Sequence, residues 1–539
     1  MCGTVPKNGH LVADQRRRAT LRWAAALPAT IVAAACRGAS ITQDSPVTPE
    51  MFGAVGDGRH DDTAAVQAAL DRGGEVVLSH RYASRGNRVS VPGTQITGNG
   101  TLLKRIGSEG PLLAIVADDV SVTLGGLSGF NGRCTAYLSG DEMHVATVEQ
   151  GVLRLRAPAP KQPPSGTPVD GDGIAPGTMI VADLGMRAGR RVYRINRPHD
   201  LSMRQIRFVD AIAFWWRNDL LRNSGQRTRL RIGLIEGSAG NGIASMAASG
   251  LTITGTRIRC VHDNGIVVAD AGSDGITIRD VTIEGSCTQN GIFLTASAGS
   301  VANGRFIRGA RIERCTVGAC GDTALEIGYH SINAVVRDCV LGPSVNPPLL
   351  WRDCQGAVCE RLTLHAPPID RQSQDWCAFA VVPQFEPATW SYAGQVNELR
   401  FEGAVRGAVA RIGGSGITLS GLAARSPDAD RPAGSRRGSF VSLAGNVQDI
   451  TLRNSSAAGY SNAIQMNYGA RQVQLRAIHV NNNRFENFDI IVNDYRTVFV
   501  NSVFTYNRLS GGRLFYSQDV LDKNIPGLLY APNVRTRSQ

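Results

Sequence analysis

Lysine is nearly missing from this chain: Lys7, Lys104, Lys161 and Lys523 are the only ones in 539 residues, so almost all positive charge is arginine. Aromatic residues make up only 6%, while glycine occurs 61 times. That balance speaks against a helical protein and for many short strands joined by tight turns, an all-β chain. Long hydrophobic runs are also lacking. The longest Ala-rich stretch, Trp23 to Ala35, is too short to span a bilayer comfortably. No His and Cys stand at zinc-ligand spacing, which removes a metal motif. No basic run or RNA-binding signature occurs, which removes nucleic acid as the expected partner.

What is present begins with an address. Arg17-Arg18-Ala19-Thr20-Leu21-Arg22 precedes the Ala-rich run and resembles a twin-arginine export signal, although Arg16 and Thr20 depart from that pattern and leave the general secretory route open. Ala33-Ala34-Ala35-Cys36 resembles a bacterial lipobox, in which Cys36 would carry a lipid and attach the protein to a membrane. The expectation is residues 1–36 as export signal, 37–49 as linker, and a periplasmic or secreted product. The signal holds five positive charges against Asp14, a net of +4, so the remainder keeps +8 of the total +12. Such a surplus, carried by arginine, suits a carboxylate-bearing polymer.

Of 11 cysteines, nine remain without Cys2 and Cys36, an odd number that cannot form a complete intramolecular disulfide set. Cys260, Cys287, Cys315 and Cys339 recur at roughly the repeat period described next, so they are expected as stacked, reduced core thiols. Cys315 with Cys320, or Cys354 with Cys359, remain alternative pairs.

The stretch from Asp200 to Gln355 repeats. Leu251–Cys260, Gly275–Glu284, Phe306–Cys315 and Ala334–Cys339 each alternate apolar and polar residues, and each is followed by a second strand. The second strands begin at Asn241-Gly242-Ile243, Asn264-Gly265-Ile266, Asn290-Gly291-Ile292 and, degenerately, Thr323-Ala324-Leu325, at spacings of 23, 26 and 33 residues. Repeats of this size are solenoid coils, which bury their apolar residues only by stacking. Asn241, Asn264 and Asn290 are expected to form a turn ladder, with each glycine tolerating positive φ. The pattern resumes from Gly416 to Asn493, so the solenoid is expected over 50–515, with an irregular insertion at about 108–199 around the Pro-rich Ala157–Ser165, and a cap and tail at 516–539.

Phe52-Gly-Ala-Val-Gly-Asp-Gly-Arg-His-Asp-Asp-Thr-Ala-Ala-Val-Gln-Ala-Ala-Leu70, then Gly73-Gly74-Glu-Val-Val-Leu78, resembles the opening of pectate lyase superfamily proteins of the rhamnogalacturonase and epimerase-like group. The resemblance implies a single-stranded right-handed parallel β-helix with an N-terminal capping helix. From the residues themselves, Asp61 or Asp62 caps that helix and Val66, Ala69 and Leu70 share its buried face, which makes Asp57, Asp61 and Asp62 structural. The resemblance also implies action on a polysaccharide. Hydrolases of this superfamily carry Asn-Thr-Asp, Asp-Asp, Gly-His-Gly and Arg-Ile-Lys motifs on neighbouring coils. Here Asp322 matches only the first acid of the pair, Asn264 replaces another, and the last two motifs do not follow.

If Asn264, Asn290 and Thr323 form one column, alternation turns Val267, Phe293 and Glu326 outward and Ile266, Ile292 and Leu325 inward. Glu326, Asp322 and Asp263 are then the candidate acid–base groups, since hydrolysis needs two carboxyls at defined separation. Asp270, Tyr329 and His330 lie at the far edge as candidate substrate contacts. Asp210–Arg217 fits the strand one coil before Asn241, which offers Trp215 as a stacking platform and Arg217 as a carboxylate clamp. Hydrolysis and β-elimination are both open; Ca²⁺ is a cofactor only under elimination. A non-catalytic glycan-binding or surface-structural protein is the alternative.

Overall fold

The computed structural model describes residues 45–539 except 106–107, 109, 130–143, 156–168, 172–177, 179, 197–200, 209–218, 239, 260, 262, 270–273, 285–288, 297–305, 374, 385–390, 467–472, 494–496, 511–512, 516–527, 531–533 and 537–539. The export signal and Cys36 therefore lie outside the described residues. Among the described residues no helix is long and apolar enough to cross a membrane.

The chain winds as a right-handed parallel β-helix whose strands stack into two long parallel sheets, one of 28 strands and one of 14. Each coil gives the smaller sheet one short strand, and those strands stay in register: Ile243 pairs with Ile266, Ile266 with Ile292, Ile292 with Leu325 and Leu325 with Leu349. All five are fully buried in the central core, as the alternation requires. Each such side chain contributes about 1.5–3 kcal/mol by leaving water. The larger sheet receives the rest of each coil, commonly as two strands joined at a left-handed residue. Arg314 (φ 50°) between Arg311–Glu313 and Thr316–Val317 is one example.

The turn into the smaller sheet carries the expected ladder. The backbone N–H of Asn264 donates to Asn241 Oδ1 (3.1 Å), that of Asn290 to Asn264 Oδ1 (3.1 Å) and that of Thr323 to Asn290 Oδ1 (3.2 Å). One member went unanticipated: Asp219 heads the column, accepting both the backbone and side-chain N–H groups of Asn241. The glycines beside these asparagines serve a different purpose from the expected one. None adopts positive φ; instead, a Cβ on Gly291 would stand 2.3 Å from Val317 Cγ1, and one on Gly242 2.7 Å from the Gly265 carbonyl. Close approach, not backbone handedness, selects glycine there.

At the N-terminal end the helix Thr63–Arg72 buries Val66, Ala69 and Leu70 in the solenoid core and closes it. Asp61 Oδ1 accepts the Thr63 N–H at 3.2 Å. Asp62 does not cap the helix; its carboxylate takes the Val55 and Gly56 N–H groups, which fixes the glycine-rich loop ahead of it. Asp57 likewise holds the Arg59 and His60 N–H groups.

The insertion starts later than expected. Leu113–Ile115 and Ser121–Ser128 both belong to the solenoid, because they continue its ladders before the chain departs. It rejoins at Asp219. Between lies a six-stranded antiparallel sheet with its own core of Ala146, Val148, Leu153, Leu155, Val169, Ile180, Tyr193 and Ile195. At the other end, Leu528–Tyr530 and Val534–Thr536 still pair in parallel with the preceding coil, so stacking runs past the expected limit at 515.

Cys315, Cys320, Cys339, Cys354, Cys359 and Cys377 are buried free thiols. Cys315 and Cys339 occupy one column, with the Cys315 N–H 3.5 Å from Cys339 Sγ. Cys260 and Cys287 lie outside the described residues.

Candidate functional site

The register of the smaller sheet places Val267, Phe293, Glu326 and Leu350 in a single outward column. This face is closed by its own side chains. Ala244, Val267, Phe293 and Tyr329 form a satellite apolar cluster, with the Phe293 and Tyr329 rings edge to face at 6.2 Å. Glu326 is thereby only 2% exposed although it points away from the core.

Its partner comes from the next coil. Arg352 lies two residues beyond Leu350 on the strand Leu349–Arg352, opposite Gly328, and its Nη1 stands 3.3 Å from Glu326 Oε1. The same Nη1 donates to the Tyr329 hydroxyl at 2.8 Å, and the guanidinium lies 5.5 Å from that ring's centre. Tyr329 in turn donates to Gln384 Oε1 (3.2 Å), and Gln384 donates its backbone N–H to the fully buried Asp353 (3.0 Å). Burial works against the Arg352 charge, yet the Glu326 carboxylate and Tyr329 more than offset it and hold its pKa above the ordinary value. A buried carboxylate and guanidinium bound in this way form a rigid unit, since separating them would leave a charge without compensation.

Asp263 and Asp322 lie in the turn that precedes these strands. Their column is fixed by backbone bonds: Gln289 donates to the Asp263 carbonyl and Asp322 to the Gln289 carbonyl. Two coils therefore separate the two acids, or about 10 Å between Cα atoms at the ~4.8 Å strand spacing. Asp263 is 5% exposed. Asp322 is half-buried and accepts from the Asn346 amide. Glu326 is four residues beyond Asp322, at most about 13 Å away along extended chain. His330 is half-buried at the edge, left-handed like Tyr329, with its ring 6.3 Å from Phe306.

Trp215, Arg217 and Asp270 lie outside the described residues. The expected strand at Asp210–Arg217 is nevertheless misplaced: the strand one coil before Ile243 is Leu221–Asn223, since Leu221 pairs with Ile243 on one side and Leu113 on the other. The insertion ends later than its sequence suggests, and the true strand is only three residues long. Arg352, Asp353 and Gln384 were not anticipated. The coil of Arg352 and Asp353 opens with Pro347-Pro348 instead of Asn-Gly, so the marker that revealed its neighbours was missing, and Gln384 follows one coil later. The alternation itself would have pointed Arg352 outward.

No family model matches the sequence, and no curated protein matches it. Among solved structures, the chain is similar to a hyperthermoactive exopolygalacturonase from Thermotoga maritima, with 11% identity, 83% of this chain and 88% of that one covered, and a TM-score of 0.39. It is also similar to the tailspike protein gp49 of Pseudomonas phage LKA1, with 14% identity, 86% and 83% covered, and a TM-score of 0.32. A third is PfbA, a surface adhesin of Streptococcus pneumoniae, at 10% identity, 84% and 92% covered, and a TM-score of 0.32. The architecture itself is legible in the chain's own ladders, which are those of a right-handed parallel β-helix.

Proposed function

We propose that the chain is an exported, polysaccharide-active protein that binds an acidic, uronate-containing glycan beside the turn column and outer face of the smaller sheet, and cleaves it by hydrolysis or β-elimination. The observation that carries this reading is the pairing of Arg352 with both Glu326 and Tyr329, next to the half-exposed carboxylate of Asp322. The part of the Arg352 guanidinium that stays exposed beside Glu326 offers forked donors to a uronate carboxylate. Asp263 and Asp322, two coils apart in the turn column, are proposed with Glu326 as the carboxyls from which hydrolysis would draw its acid and base. Tyr329, His330 and Asp270 are proposed as substrate contacts at the edge, with Trp215 and Arg217 from the insertion.

Elimination would invite Ca²⁺. Among the described residues no group of three His, Cys, Asp or Glu side chains is placed to hold a metal ion, so we route no step through one and assign charge neutralisation to Arg352. Export, a periplasmic or extracellular site of action, and lipid attachment at Cys36 belong to the same proposal and rest on residues 1–36.

A second reading, glycan binding without cleavage, is favoured by the burial of Glu326 and Asp263, at 2% and 5% exposed. A panel of acidic polysaccharides incubated with the protein, read once by new reducing ends and once by absorbance of unsaturated uronates, separates the three. Reducing ends alone mean hydrolysis, and both signals together mean elimination. Neither signal with retained affinity leaves binding only.

A further inference from the structure

Many arginines of the solenoid are paired with acids, often by two-pronged bonds, as Arg227 with Asp119, Arg259 with Glu236, Arg314 with Asp280 and Arg361 with Asp338, whereas others such as Arg229, Arg231 and Arg311 are exposed singly. The inserted sheet instead gathers several arginines on one face. Its strand Arg190–Ile195 sits between Ile180–Arg187 and Val152–Leu155, with Arg187 opposite Arg190, Gly185 opposite Val192, and Arg194 opposite both Ala182 and Val152. Arg154 also faces Val192. Cross-strand partners share a face and alternate residues share it along a strand, so Arg154, Arg187, Arg190 and Arg194 all lie on one side. The opposite side carries Leu153, Tyr193 and Ile195 into the module's core.

Arg187, Arg190 and Arg194 are exposed, and among the described residues none has an acidic partner. Only Arg154 has one, Glu149 at 3.0 Å. Arg187 and Arg190 are directly opposed across a tight turn through Ala188 (φ 48°) and Gly189 (φ 73°), an arrangement that costs stability. Ala182, Gly185 and the buried Val192 lie between these arginines in the strand register. A self-repelling set of forked donors has no structural return, whereas it matches a row of carboxylates.

We propose that this face is a second glycan-binding surface, which holds the carboxylates of a polyuronate chain. The inference rests on the acidic-glycan reading above and extends it to a separate module. That module is rooted where the chain leaves the larger sheet after Ser128 and returns at Asp219, the head of the turn column that also carries Asp263 and Asp322. Among the described residues no aromatic side chain lies on the arginine face to stack a base, which sets polyuronate ahead of nucleic acid.

The test measures affinity of the full-length protein for polygalacturonate, neutral dextran and a short single-stranded DNA by calorimetry, for wild type and for Arg187→Gln/Arg190→Gln/Arg194→Gln. The expected result is binding of polygalacturonate over dextran and DNA, weakened about tenfold in the triple variant through loss of three exposed ion pairs, with the difference shrinking at high salt. The variant should melt at or above wild type, because a repulsive pair has been removed. Unchanged polyuronate affinity, a lowered melting temperature, or DNA bound as tightly as polyuronate would each overturn the proposal. Affinity lost in the triple variant while wild type forms no product supports this surface and removes the cleavage reading instead.

Discussion

Arg314 forks onto Asp280 across one coil, Nε to Oδ1 at 2.7 Å and Nη2 to Oδ2 at 3.0 Å, with both residues in the left-handed region at the same bend of the larger sheet. Asp338 and Arg361 repeat the fork on the next two coils. The column beside it runs Arg279, Glu313, Arg337, Glu360, so over four coils each charge is flanked by its opposite in both directions. Parallel in-register stacking would set identical residues against each other; alternating the sign turns that into attraction and penalises a slip by one coil.

Arg314→Glu would place an acid between Asp280 and Asp338. The melting temperature should fall at low ionic strength, and the deficit should narrow at about 0.5 M salt, where exposed charges are screened. A deficit unchanged by salt would mean that the ladder is held by packing alone.

The buried counterpart of this ladder is amide-based. Asn264→Ala removes the acceptor of the Asn290 N–H and the amide donor to Asn241. Leaving a buried polar group unsatisfied costs about 1–3 kcal/mol. Urea unfolding should show a lower midpoint with an unchanged slope.

Most of the architecture was readable in the sequence because a solenoid imposes one requirement many times. Three Asn-Gly-Ile markers and the degenerate Thr323-Ala324-Leu325 located four successive strands, and alternation gave the correct outward column of Val267, Phe293 and Glu326. Reading failed where the requirement lapsed. The Pro347-Pro348 coil hid Arg352, and the insertion hid Leu221–Asn223, since a three-residue strand supplies too little periodicity to detect. That Glu326 is covered could not be foreseen. Its cover, Tyr329, and its counter-ion, Arg352, come from the end of its own strand and from the following coil, and no local pattern encodes that meeting.

Acid should weaken the N-terminal end. Backbone N–H groups of His60 and Arg59 hold the Asp57 carboxyl down to about 2, and Asp61, despite some burial, is also held to about 2 by Thr63, Arg85 and Arg105. Folded values below the unfolded ones mean stability that is present above the ordinary aspartate range and lost as pH falls toward 2. Melting temperature should therefore drop between about pH 4 and pH 2. Asp57→Asn should flatten that slope; an unaltered slope would place the acid sensitivity elsewhere.

The thiols offer a test of the core. Cys315, Cys339, Cys354 and Cys359 are all buried, which shields them from reagents, and burial also pushes the Cys354 thiol up and the Cys359 thiol up to about 12. A reductant should leave the melting temperature unchanged, and a thiol reagent should react with these groups only after denaturation. A loss of about 2–5 kcal/mol on reduction would reveal a native disulfide instead.

Glu326 admits two explanations that kinetics and stability together can separate. As a general acid or base, its replacement in Glu326→Gln should lower the rate on a verified glycan by about 10²–10⁴-fold, and Asp322→Asn or Asp263→Asn should show a comparable loss for the second carboxyl. As half of a buried ion pair, it should instead reveal itself in unfolding: Arg352→Met would strand the carboxylate and cost about 3–5 kcal/mol. Both effects are expected here, because the pair is 3.3 Å apart and Asp322 stands in the adjoining turn. If Glu326→Gln, Asp322→Asn and Asp263→Asn all retain full activity while Arg352→Met unfolds readily, the cluster serves only to fasten Tyr329 and the Gln384 loop over the sheet. The chemistry would then have to be sought on another face of the helix.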